Sequence, residues 1–264
     1  MGNEEIFTMI RQLVDPAPRE RKKALEYLGK YPDRNEVVQG YLLQLPQAER
    51  PLAILLLQKI EQEGRGKSGV AAQVMALIRH PDYQVRSRVF ICLGRLQDRF
   101  ISLPLVDFVG SNPGEEWQLR ALECLYLLHD QRVVPGLSLF LRQTDNPLLV
   151  RGIIWLLGSL GGKEPLDVIA RWAASPEGRI VKSEVILEAL ALAIASLEEG
   201  MAYWEEVKKE NPVLDRFFRY SILPEIDPPH FFVYPYPDYL LDQAKARGMG
   251  GKEFKKLFYW DRPT

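Results

Sequence analysis

Two cysteines, Cys92 and Cys124, and three histidines, His80, His129 and His230, are the side chains of this 264-residue chain best suited to ligate a metal or to act as nucleophile and base. A tetrahedral zinc site takes about four such ligands, usually with two of them a few residues apart. Here no CxxC occurs and the histidines are scattered, so neither a metal site nor a cofactor is expected. Nor do Ser-His-Asp, Cys-His or paired-carboxylate patterns emerge, and no catalytic residue is assigned. Both thiols read as reduced core residues, because an unpaired cysteine packs as a small hydrophobe. The stretch GRGKSG, residues 64–69, echoes a phosphate loop. It lacks the GxxxxGK[ST] spacing and the preceding strand that such a loop requires, and it reads as a connection between helices.

Composition narrows the classes further. Thirty-four basic residues face 35 acidic ones, for a net charge of −1, without the positive field a dedicated nucleic-acid binder needs. A hydrophobic fraction of 47% supports a sizeable folded core. Apolar runs such as LLVRGIIWLLGSLGG and VILEALALAIASL are short or interrupted by charge, and fall below the length of a membrane span. The amino terminus starts acidic and has neither a secretory signal pattern nor the Ser or Thr of a myristoylation motif at its sixth residue, Ile6. A cytoplasmic protein that does not insert into membranes is expected.

The elements that would position any site come from a repeat. Placing VRSRVFICLGRLQD (85–98) above WQLRALECLYLLHD (117–130) matches Arg88 with Arg120, Cys92 with Cys124, Leu93 with Leu125, Leu96 with Leu128 and Asp98 with Asp130. The shift is 32 residues, and a further step in the same direction lays LGRL (93–96) over LGSL (157–160). Prolines precede each segment at Pro81, Pro113 and Pro147 and follow it at Pro104, Pro135 and Pro165. Proline suits a first helical turn, where its missing N–H has no partner to lose. Each repeat therefore reads as a short helix, a polar turn and a longer helix with apolar residues at three- and four-residue spacing. Fainter copies lie at 15–45, at the helical pair 51–60 and 70–78, and at 175–199. Neither helix of a pair can bury its apolar stripe alone, so neighbouring pairs must cover one another. The expected fold is all-α: a right-handed α-solenoid, or α-α superhelix, of about five to six helix pairs over residues 1–200. An aromatic- and Pro-rich extension follows at 201–264.

The combination of proline, polar turn, Val-Arg (Val85-Arg86, Val150-Arg151) and Leu-Gly-x-Leu resembles the short HEAT-like repeat of the phycobilisome-lyase type. The resemblance covers about residues 15–199 and is clearest in the three central repeats. It implies that Arg86, Arg151, Asp98 and Asp130 form a structural ladder bridging adjacent repeats. It also implies that the second helices line a concave side. On that face Arg88, Ile91, Arg95, Arg120, Glu123, Leu127, Trp155 and Ser159 would form a partner-binding row, although Trp155 by itself reads first as a core residue. Such a mixed row suits a protein or peptide better than a phosphate backbone.

Residues 201–264 hold 14 of the 27 aromatic side chains. Within HFFVYPYPDY (230–239), Phe231, Phe232, Tyr234 and Tyr236 are expected to cap the last helical pair or to offer a contact surface, since an open-ended array needs cover. The functional expectation is a non-catalytic binding module or scaffold for protein–protein interaction. Two alternatives stand beside it. One is a HEAT-like enzyme, either a bilin lyase subunit or a DNA base-excision glycosylase using Trp155, Trp172 and Asp167. The other is a self-assembling structural protein.

Overall fold

Short polar side chains and prolines decide where the helices begin. Asp33, Asp82 and Asn146 each accept hydrogen bonds from two backbone N–H groups of the following turn, at 2.8–3.2 Å, and so cap three helices at their amino ends. Pro18, Pro51, Pro135 and Pro147 occupy first-turn positions of four. Left-handed residues stop two helices, with Gln97 at φ 53° and His129 at φ 46°. The structure is a computed structural model that describes residues 2–179 together with Tyr203, Glu206, Val207 and Lys209. The described residues contain eleven α-helices, four short 3₁₀ turns and no strand. The all-α expectation holds for them.

By its internal packing the chain divides into two compact units, Met1–Ile101 and Ser102–Thr264, a boundary that falls inside the repeat region. The first unit contains α1 (Gly2–Gln12), α2 (Pro18–Lys30), α3 (Arg34–Gln44), α4 (Arg50–Glu63), α5 (Val70–Met75) and α6 (Tyr83–Leu96). Here α3 packs on α1 and α4, α5 packs on α6, and α4 lies along α6. Leu56, Leu57 and Ile60 of α4 and Val89 and Leu93 of α6 are fully buried. The sequence grouped 51–60 with 70–78 as one pair. The structure instead packs α4 against α3 and α5 against α6, because the Leu45–Gln47 3₁₀ turn folds the chain back between α3 and α4.

The second unit contains α7 (Ser102–Gly110), α8 (Glu115–Leu128), α9 (Val134–Gln143), α10 (Pro147–Leu160) and α11 (Lys163–Ala174). α7 packs on α8, α9 on α10, α10 along α8, and α11 against both α9 and α10. α7 and α9 approach closely at Gly136, where an added Cβ would stand 2.4 Å from Val106 Cγ1.

Polar links recur at the repeat spacing within the first unit. Arg50 reaches Asp82 at 2.6 Å, Arg65 reaches Gln97, and Lys67 reaches Asn35, each pair 32 residues apart. In the second unit Asn146 reaches Glu115, 31 residues away, at 2.5 Å. Gln131 Nε2 there donates to the carbonyls of Leu160 and Gly161 at 2.6 and 3.0 Å. Within each unit, positions about one repeat length apart in the sequence thus meet. None of the described helices is long and apolar enough to cross a membrane.

Candidate functional site

In the first unit the expected row of α6 residues turns out to surround a carboxylate. Arg88 and Arg95 lie two helical turns apart on α6, and both bond to Glu61 of α4. The Glu61 side chain is only 7% exposed. A carboxylate so far from water is stable only when paired, and two arginines supply the pairing. Burial pulls the Arg88 guanidinium below its usual range even though Glu61 opposes the shift, and its Nε is buried without an acceptor. Cys92 sits one turn from Arg88. Burial, reinforced by Glu61, pushes its thiol up to about 12, so it stays protonated at neutral pH and is no nucleophile. Ile91 is half-buried on the same helix. Glu61 falls just beyond the faint copy, which ends at Ile60 in the sequence pattern, whereas α4 runs to Glu63.

The second unit places its share of the row inside. Arg120 reaches Glu123 of the same helix at 3.1 Å, with both side chains largely buried. Leu127 is buried, and Trp155 is 1% exposed, its ring centroid 5.0 Å from that of Tyr126. Glu123, Leu127 and Trp155 are therefore core residues rather than a solvent-facing row, because the α8 and α10 faces that carry them pack against each other. Ser159 donates to the Leu156 carbonyl at 2.8 Å.

Partners of the residues expected to form the ladder are as follows. Arg86 Nε donates to the Ile78 carbonyl at 2.8 Å, and Asp98 accepts the Phe100 N–H at 2.9 Å. Asp130 accepts from Nε and Nη2 of Arg132 at 3.0 and 2.7 Å. That fork, chiefly, holds its carboxyl down at about 2. Arg151 is half-buried on α10. Among the groups a base-excision reading would use, Trp155 and Trp172 are buried, and Asp167 accepts the Tyr203 hydroxyl at 2.8 and 2.9 Å. Phe231, Phe232, Tyr234 and Tyr236 lie outside the described residues. Among the described residues no group of three or more His, Cys, Asp or Glu side chains is placed to hold a metal.

A surface that the sequence did not single out lies at the edge of the first unit, where the longer helices end. The 64–69 loop and the 96–100 turn wall a cleft of about 650 Å³. Arg65, Lys67, Arg99 and Asp98 supply its charges, and Leu96, Ala71 and Ala72 are among its apolar lining. Gly66 and Gly69 carry the loop through φ angles of 76° and 78°, a region that glycine enters without a Cβ penalty. At the rim stands Phe100, 86% exposed. The signal for this site was the loop already noticed as GRGKSG, together with the RF pair that follows α6. What was hidden was that the 32-residue repeat stacks the two connections side by side. A comparison with protein-family models finds no match to the chain, and a comparison with curated proteins finds none either.

Proposed function

We propose that the chain is a HEAT-like helical-repeat binding module or scaffold that engages a protein or peptide partner and performs no chemistry of its own. Phe100 carries this reading. A phenylalanine left 86% exposed contributes nothing to its own unit's core, and aromatic side chains beside a concave surface are the usual anchors of protein interfaces. The fate of the other chemistry-bearing groups supports it. Glu61, Glu123 and Asp130 are each bonded to arginine, and the Cys92 thiol is held protonated. These are arrangements that stabilise a scaffold.

The test is affinity capture from the native cell with the full chain and with Phe100→Asp. The expected result is a partner, identified by mass spectrometry, that is retained by the wild type and lost by the variant. The melting temperature should be nearly unchanged, since substitutions at exposed positions stay within about 0.5 kcal/mol. Failure to retain any partner, or equal capture by both chains, overturns the proposal.

A further inference from the structure

We propose that the cleft between the 64–69 loop and the 96–100 turn takes an acidic peptide segment that carries an apolar side chain, an assignment that rests on the binding-module reading above. The argument begins with how the cations of the first unit are neutralised. Arg34, Arg50, Arg88 and Arg95 each reach a carboxylate, respectively Glu63, Asp82, and for the last two Glu61. In the cleft the pattern changes. Arg65 donates to the side-chain carbonyl of Gln97, and Lys67 to that of Asn35. Amide oxygens satisfy the hydrogen bonds and fix the direction of both side chains, yet they carry no charge. Among the described residues no carboxylate pairs with either of these two oriented positive groups. The lining also includes Arg99, and its carboxylate, Asp98, accepts the Phe100 N–H.

The occupant must therefore bring negative charge, and the remaining lining says what else it brings. Leu96, Ala71, Ala72 and the exposed ring of Phe100 are apolar. A volume of about 650 Å³ accepts a few side chains of an extended segment. A bare inorganic anion would leave the apolar wall in water. A nucleic-acid strand would draw on a longer basic tract than three residues, in a chain whose net charge is −1. Carboxylates on Arg65 and Lys67 with a leucine or phenylalanine against Phe100 use both halves of the cleft.

The experiment uses the full chain and a fluorescently labelled synthetic peptide alternating glutamate with leucine and phenylalanine, followed by anisotropy. The glutamate peptide binds, and its glutamine counterpart binds at least about tenfold more weakly. Raising salt from about 50 to about 200 mM weakens the glutamate peptide further. Arg65→Glu with Lys67→Glu reduces affinity at least about tenfold, a factor of ten in an equilibrium constant being about 1.4 kcal/mol. Arg65→Glu alone, at an exposed position, gives a smaller loss in the same direction, and the charge reversal Lys22→Glu on α2, outside the cleft lining, leaves binding unchanged. Equal binding of the two peptides, or wild-type affinity in the double variant with its helical circular dichroism intact, overturns the assignment. So does displacement of the peptide by inorganic phosphate or single-stranded DNA at lower concentration than by unlabelled peptide. A cellular partner lost by Phe100→Asp but kept by the double variant overturns the acidic assignment while leaving the binding-module reading standing.

Discussion

Glu61 shows how a single carboxylate can organise two helices. Its partners Arg88 and Arg95 come from α6, so converting it to an amide leaves two guanidinium groups facing a neutral oxygen in a largely water-free seam. Breaking a buried pair costs about 3–5 kcal/mol, and the partial exposure of Arg95 moves the expectation for Glu61→Gln to about 2–3 kcal/mol. Urea denaturation of the variant measures it. Asp130 makes a prediction about pH. Its folded carboxyl is depressed from 3.8 to about 2, so its contribution is complete above about pH 4 and disappears as pH falls through about 2. Asp130→Asn should remove that increment at neutral pH and flatten the acid limb of the stability curve between about pH 4 and 2, read from thermal melts across that range.

At the scale of elements, the close passage of α7 and α9 separates two glycines of opposite character. A methyl group at Gly136 would collide with Val106, whereas one at Gly29 on α2 meets open space. Gly136→Ala should destabilise by about 1–3 kcal/mol through overpacking. Gly29→Ala should stabilise by about 0.5–1 kcal/mol through reduced backbone freedom in the unfolded chain. Paired denaturation curves decide both. The helices of the second unit were legible in the sequence because their prolines and apolar spacing fall where α8, α9, α10 and α11 begin and run. α3 and α4 were harder, since only a 3₁₀ turn and a few residues separate them. The row on α6, α8 and α10 was legible as a face, and Trp155 as a core residue, but the burial of Glu123 and Leu127 was not legible. Periodicity reports which residues share a side of a helix, and it is the neighbouring helix, with a carboxylate such as Glu61 or a ring such as Tyr126, that decides whether this side meets water. Two arginines two turns apart on an otherwise apolar face were the available sign of a hidden acid.

On the scale of the whole molecule, none of the five tryptophans lies in the sequence of the first unit, and the three among the described residues, Trp117, Trp155 and Trp172, belong to the second. Indole fluorescence therefore reports that unit, while helical circular dichroism reports both. If each unit follows its own core, Gly136→Ala should shift the fluorescence transition, and Glu61→Gln should shift the dichroism midpoint by more than the fluorescence midpoint. Coincident shifts of both probes in both variants would mean a single cooperative block. The first unit carries one further consequence. Arg50 with Asp82, Lys67 with Asn35 and Arg65 with Gln97 behave like teeth cut at one pitch of 32 residues. An added or deleted residue between Arg65 and Lys67 would shift the spacing of all three pairs at once, so this connection has less freedom to drift in length over evolution than its glycines and exposed position suggest.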